Sequence, residues 1–94
     1  SEAKDVADMR ISISDGKNTP VYKVSDKSLA SGAAIAGVTV AFTDLNGDDK
    51  VSTGDYFTID VPAAGATAVS YTVALSYAPA SGTGGVICDT TFTV

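Results

Sequence analysis

Histidine is absent from this sequence of 94 residues, and so is tryptophan. The missing histidine excludes the commonest general base, the commonest zinc ligand and every histidine-dependent catalytic triad. Serine and threonine are plentiful, but no imidazole is present to activate their hydroxyls as nucleophiles. Cys88 is the only cysteine, so an intramolecular disulfide cannot form, and its apolar neighbours Val86 and Ile87 predict a small buried side chain.

Positive charge is scarce as well. Six basic residues stand against eleven acidic ones, which gives a net charge of −5 at pH 7. The basic residues are scattered between Lys4 and Lys50 without forming a patch, so we expect no binding to nucleic acid, whose phosphates require Lys and Arg. No apolar run is long enough to cross a bilayer, and the first residues lack the pattern of a signal peptide. We therefore expect no membrane contact by this segment.

The composition that remains is that of one folded domain. Hydrophobic residues make up 45% of the chain and charged residues 18%, which argues against disorder. A chain of this length lies near the lower limit for a single hydrophobic core. Ala, Val, Ser, Thr and Gly predominate over long side chains, and this mixture favours strands and tight turns.

Alternation of apolar and polar residues predicts strands along most of the chain. In residues 9–14, for example, Met9, Ile11 and Ile13 alternate with polar residues, and Asp15 and Gly16 then begin a turn. The pattern predicts an all-β fold, a small antiparallel β-sandwich of about six to seven strands. The predicted strands are residues 9–14, 21–24, 33–43, 56–61, 68–78 and 85–94.

Two other segments have a different character. Residues 1–8 (SEAKDVAD) are compatible with a helix, and we interpret them as a leader or the remnant of an N-terminal helix. Residues 9–94 then form the single sandwich domain. Residues 25–32 are a polar connection, in which Leu29 is expected to point into the core.

Residues 44–55 (DLNGDDKVSTGD) carry the most specific signal in the sequence. Oxygen-bearing side chains occupy positions 1, 3, 5, 9 and 12 of this window, which is the ligand spacing of an EF-hand-type calcium loop. A bare Asn-Gly hairpin turn is the simpler alternative, but it does not require acidic groups at this spacing. We therefore predict a Ca²⁺ site whose ligands are Asp44, Asn46, Asp48, the backbone carbonyl of Lys50, Ser52 and Asp55.

Two positions of this loop depart from the EF-hand pattern. Position 6, usually glycine, is Asp49, although Asp tolerates a left-handed backbone better than most residues. Position 12 is Asp55 instead of Glu, and its shorter side chain favours one ligating oxygen over two. Predicted strands enter and leave the loop directly, so the loop is expected at the tip of a β-hairpin and not between helices.

Residues 37–61 (GVTVAFTDLNGDDKVSTGDYFTIDV) followed by residues 70–94 (SYTVALSYAPASGTGGVICDTTFTV) resemble the C-terminal head of archaeal type IV pilins and archaellins. Those heads often carry a strand, a D-x-[DN]-G-[DN]-x-x-[VL]-x-x-G-D-like loop and a second strand, and they commonly finish on a β-hairpin. The resemblance implies a structural head on the cell surface that self-associates in a filament through an N-terminal helix absent from this chain. Calcium would stiffen the hairpin.

Two other classes of function remain open. A carbohydrate- or protein-binding module of a larger secreted protein would use exposed aromatic side chains, and Tyr56 is the best candidate because it is out of phase with Phe57. An enzyme is disfavoured. A carboxylate pair can hydrolyse glycosides, but acidic residues clustered on one loop are better suited to binding a cation. The acidic candidates are Asp44, Asp48, Asp49, Asp55, Asp60 and Asp89.

Overall fold

The computed structural model describes residues 4–25, 28–52, 54–63, 65–80, 82 and 84–94. Within these ranges the chain forms strands and a single short 3-10 turn, Val6–Asp8. No helix in the described part of the chain is long and apolar enough to cross a membrane. The strands are β1 Lys4–Asp5, β2 Met9–Ser14, β3 Val21–Lys23, β4 Leu29–Ser31, β5 Thr39–Thr43, β6 Lys50–Val51, β7 Tyr56–Asp60, β8 Ser70–Tyr77 and β9 Gly85–Thr93.

All strand pairs are antiparallel, which confirms the predicted fold class. The main sheet has five strands in the order β4-β3-β2-β8-β9, and β5 with β7 and β1 with β6 form two-stranded sheets. Apolar side chains of the β5–β7 hairpin, including Phe42, Phe57 and Ile59, pack against the core residues of the main sheet. The result is a small sandwich-like arrangement of two layers.

The core is centred on β2. Its predicted alternation is confirmed, because Met9, Ile11 and Ile13 are at most 2% exposed while the intervening residues are only partly buried. β8 lies beside β2 and contributes Tyr71 and Val73 to the same cluster. Full burial of each of these side chains contributes about 1.5–3 kcal/mol to folding, so β2 is a large share of the core of so small a domain.

Two apolar side chains expected in the core lie on the surface instead. Leu29 is 44% exposed and belongs to β4, a three-residue strand at one margin of the main sheet. Cys88 is exposed on β9, the strand at the opposite margin. The alternating pattern specifies which side of a strand is apolar, but it does not specify whether the strand is central or marginal. Marginal strands have a neighbour on one side only, so their apolar residues are less covered.

The described part of residues 1–8 is not an α-helix. Lys4–Asp5 pairs with Lys50–Val51, and a 3-10 turn follows at Val6–Asp8. The backbone N–H of Val6 also donates a hydrogen bond to the carbonyl of Asp49 (3.1 Å). An isolated helix of this length would be only marginally stable in water. Pairing with β6 gives the same backbone segment hydrogen-bond partners. Residues 1–3 lie outside the described ranges.

We expect Ile11→Ala to destabilise the domain by about 2–5 kcal/mol, because it removes a fully buried side chain and leaves a cavity. Leu29→Ala is the matched control, and its surface position predicts a change within about 0.5 kcal/mol. Urea denaturation followed by circular dichroism measures both values. Equal losses of stability in the two variants would contradict the described core.

Candidate metal centre

The loop of residues 44–55 closes the β5–β7 hairpin, as its position in the sequence predicts. The last register pair of the hairpin is Thr43 with Tyr56, so the loop begins and ends directly at paired strands. Within the loop, Lys50–Val51 forms β6 and pairs with β1. The loop is therefore tied to the hairpin at its two ends and to the N-terminal segment at its middle.

Asp44 organises the first half of the loop. Its Oδ1 accepts a hydrogen bond from the backbone N–H of Gly47 (3.1 Å), and its Oδ2 accepts one from the N–H of Asp49 (2.9 Å). These bonds are possible because short acidic side chains reach back to the backbone of the residues that follow them. The chain consequently wraps around the carboxylate of Asp44, which is itself partly buried.

Asp55 organises the second half in the same way. Its Oδ1 accepts a hydrogen bond from the N–H of Leu45 (3.0 Å), and its Oδ2 accepts bonds from the N–H (3.0 Å) and hydroxyl (3.1 Å) of Ser52. Position 12 of the loop is thus linked to position 2 as well as to position 9. The two ends of the loop are joined through this one carboxylate.

Three carboxylates meet inside the loop. Asp44, Asp48 and Asp55 each offer an oxygen atom, and these atoms all lie within 4.8 Å of one another. Oxygen atoms that bind one Ca²⁺ at about 2.3–2.6 Å cannot be more than about 5 Å apart, so this spacing is compatible with a shared ion. Three adjacent negative charges also repel one another, and a cation among them would relieve that repulsion.

The remaining predicted ligands lie around these carboxylates. The Nδ2 group of Asn46 donates a hydrogen bond to Oγ of Ser52 (3.3 Å), so positions 3 and 9 face each other across the loop. The backbone N–H of Lys50 donates to Oδ1 of Asp48 (3.0 Å). The side chain of Lys50 points elsewhere, to Asp5, and the ligand predicted at this position is its backbone carbonyl.

The backbone at position 6 adopts the left-handed conformation that glycine usually provides there. Asp49 has a φ of +57°, and it is the only non-glycine residue with positive φ in the described part of the chain. Left-handed backbone is costly for L-residues, although Asp is among the more tolerant ones. The N–H of Asp49, held by Asp44, helps to stabilise this conformation. The departure from glycine therefore does not prevent the left-handed turn at position 6.

Asp55 is held in its charged form by the loop. Partial desolvation acts to raise the pKa of Asp55, but hydrogen bonds from the N–H groups of Ser52 and Leu45 and from the Ser52 hydroxyl outweigh it. The net result is a pKa below the ordinary value of 3.8. A carboxylate that stays ionised is a competent ligand for a hard cation over the physiological pH range.

The link between the loop and the N-terminal segment was not predicted from the sequence. Nζ of Lys50 lies 2.5 Å from Oδ1 of Asp5, and this hydrogen bond and its charge raise the pKa of Lys50. The residues are 45 positions apart and β1 has only two residues, so no periodic pattern marks their pairing. The only sequence feature that hints at this pairing is the acidic character of residues 1–8, which suits contact with a lysine.

A second concave feature lies between the turn that follows β2 and the start of β8. It is an open groove of about 660 Å³ lined by polar and small residues, among them Ser14, Lys17, Thr67, Ser70 and Thr72. None of its lining residues is aromatic, so it lacks the stacking surface that sugar recognition commonly uses.

No family model, no curated protein and no solved structure matches this chain.

Without added metal, we expect acid to destabilise the domain partly through Asp55. A lowered native pKa means that this stabilisation is complete above the unfolded value of about 3.8 and is lost as the pH falls below it through the native pKa. Melting temperatures of Asp55→Asn between pH 7 and pH 2, in EDTA, should therefore fall less than those of the wild type. Asp60→Asn is the control, because among the described residues the carboxylate of Asp60 accepts a single long hydrogen bond, from Thr39 (3.4 Å). An identical acid response in wild type and Asp55→Asn would contradict this role.

Proposed function

We propose that this chain is the extracellular head domain of an archaeal pilin-like surface filament subunit, stabilised by Ca²⁺ in the loop of residues 44–55. The metal part of the proposal is supported by the approach of Asp44, Asp48 and Asp55 to within 4.8 Å at the spacing of an EF-hand-type loop. The filament part is supported by the resemblance of residues 37–61 and 70–94 to pilin and archaellin heads.

The role proposed for the calcium ion is structural. When bound, it would neutralise the carboxylates and join the two halves of the loop at the end of the β5–β7 hairpin. The loop is also paired with β1, so the same ion would fix the N-terminal segment against the hairpin. A subunit head exposed to the medium, where calcium is abundant, gains stability from such a site by mass action.

The head is proposed to form the outer surface of the filament, on the outside of the cell. Assembly is assigned to an N-terminal hydrophobic helix that is not part of this chain, and the head would contribute surface or glycan contacts. The excess of acidic side chains, distributed over several strands and loops, suits a surface that meets cations and not nucleic acid.

Calcium should raise the melting temperature of this domain. Extracellular modules with such loops bind Ca²⁺ with dissociation constants of roughly 10⁻⁴ to 10⁻³ M. At ten times a 10⁻⁴ M constant, binding adds about 1.4 kcal/mol, which corresponds to about 6–11 °C for a domain of this size. Differential scanning calorimetry in 1 mM CaCl₂ and in EDTA measures the difference.

Asp44→Ala should abolish this difference, because Asp44 supplies position 1 of the loop. Asp60→Ala is the matched control: it removes a carboxylate on β7 that belongs to no predicted ligand position, and it should retain the calcium response. A wild-type melting temperature that is the same in CaCl₂ and in EDTA would refute the metal site. Magnesium at the same concentration tests whether the loop prefers the larger ion.

One observation favours a second candidate function, a calcium-stabilised carbohydrate- or protein-binding module of a secreted protein. Tyr56 is 51% exposed and stands at the end of the loop, so its ring is available for stacking. The other three tyrosines, Tyr22, Tyr71 and Tyr77, contact the core cluster or belong to it. An exposed aromatic ring beside this loop suits the recognition of a ligand that stacks on it.

The coding sequence upstream of Ser1 and a glycan array together distinguish the two functions. The filament subunit predicts a hydrophobic segment with a prepilin-type cleavage site upstream, and its absence would remove the filament part of the proposal. The binding module predicts a specific glycan signal that Tyr56→Ala abolishes and Tyr56→Phe retains. We expect the upstream segment and no such signal.

A further inference from the structure

Asn46 is the asparagine of this chain that is chemically most exposed to self-modification. The chain contains two asparagines, Asn18 and Asn46, and only Asn46 is followed by glycine. Asparagine is a thermolabile residue, because the backbone nitrogen of the next residue can attack its side-chain amide. Glycine has no Cβ to hinder that attack. Asn46 and Gly47 are both exposed, so water reaches the reacting groups.

The backbone N–H of Gly47 is the group that must lose its proton in this attack. It donates a hydrogen bond to Oδ1 of Asp44 (3.1 Å), so a carboxylate lies directly at the proton to be removed. A base within hydrogen-bond reach of the proton is the geometric requirement for general base catalysis. Oδ2 of Asp44 accepts a second bond, from the N–H of Asp49 (2.9 Å), and this bond holds the carboxylate in place.

The side-chain amide of Asn46 is held at both of its polar atoms. Its Oδ1 accepts a hydrogen bond from the backbone N–H of Asp48 (3.4 Å), and its Nδ2 donates one to Oγ of Ser52 (3.3 Å). Negative charge develops on Oδ1 while the nitrogen of Gly47 attacks the amide carbon, and a backbone donor at that oxygen stabilises the charge. The two bonds also restrict the rotation of the amide next to its nucleophile. The loop therefore contacts all the reacting groups.

We propose that the folded loop promotes the deamidation of Asn46, with Asp44 as the base. The backbone nitrogen of Gly47 forms a bond to Cγ of Asn46 while its proton passes to Asp44. The bond between Cγ and Nδ2 then breaks, and Nδ2 takes up that proton and leaves as ammonia. The product is a five-membered succinimide ring. Water opens the ring at one of its two carbonyls, which gives aspartate or isoaspartate at position 46.

The reaction changes the loop at one of its predicted ligand positions. Position 3 of an EF-hand-type loop accepts either Asp or Asn, so the aspartate product keeps an oxygen ligand there. It also adds a fourth carboxylate to those of Asp44, Asp48 and Asp55. Because ligand charge sets the affinity of such loops, the aspartate form should bind Ca²⁺ more tightly. This effect on calcium rests on the proposed function, whereas the reaction itself does not.

Peptide mapping by mass spectrometry, after incubation in EDTA at neutral pH, tests the reaction. The native chain should convert Asn46 faster than the same chain unfolded in guanidinium chloride, because unfolding separates Asp44 and Asp48 from the reacting groups. Asn18 is the internal reference: it is exposed, it precedes the branched Thr19, and it should keep its amide in both conditions. A native chain that converts Asn46 no faster than the unfolded chain would overturn the proposal. EDTA separates this result from any calcium response of the domain.

Two variants that each remove one carboxylate of the loop test the role of Asp44. Asp44→Asn should slow the native reaction about 10²-fold, the lower end of what a positioned base contributes. Asp48→Asn is the matched control: it loses the same charge, but its side chain contacts the N–H of Lys50 and not that of Gly47, so it should keep the wild-type rate. In guanidinium chloride all three chains should react equally. Equal native rates in the two variants, or faster conversion in Asp44→Asn, would show that Asp44 is not the base.

Discussion

The antiparallel pairing of β2 with β8 is the contact on which the other parts of the domain depend. It joins segments about 60 positions apart along the chain, and it brings the buried residues Ile11 and Ile13 into one cluster with Tyr71 and Val73. β3 and β9 add to its two sides, and the β5–β7 hairpin covers its apolar face. The β5–β7 hairpin packs on the apolar face that this pairing presents, so the position of the loop of residues 44–55 depends on it as well.

The loop and the core stabilise the fold by different means. The core depends on apolar burial and uses no buried polar or charged side chain among the described residues. The loop depends on carboxylates that accept hydrogen bonds from backbone N–H groups. Its acidic side chains remain partly or fully accessible to water. Buried apolar side chains have no group that binds a proton or a calcium ion, whereas carboxylates can bind either. The stability of the core and the stability of the loop therefore respond to different solution conditions.

The sequence alone was sufficient to predict features that depend on the spacing of residues close together in the chain. The alternation at Met9, Ile11 and Ile13 predicted β2, and the spacing of residues 44–55 marked the three carboxylates, Asp44, Asp48 and Asp55, that lie together in the loop. Pattern failed where the outcome depends on a distant partner. Nothing local distinguishes Leu29 on a marginal strand from a core leucine, and Lys4–Asp5 becomes a strand only because Lys50–Val51 is present to pair with it. The register shift in the β8–β9 pairing, which leaves Ile87 without an opposite residue on β8, likewise has no marker in the sequence.

The short pairing of β1 with β6 has a mechanical consequence. Tension applied to the chain ahead of Lys4 reaches this two-residue ladder, and the ion pair of Asp5 with Lys50, before it reaches the five-stranded sheet. Lys50 lies inside the loop, so the loop takes up the load together with β1. The part of the domain that is loaded first is then also the part that the proposed calcium ion would stiffen. Under such tension the β1–β6 pairing would separate first, while the five-stranded sheet stayed folded.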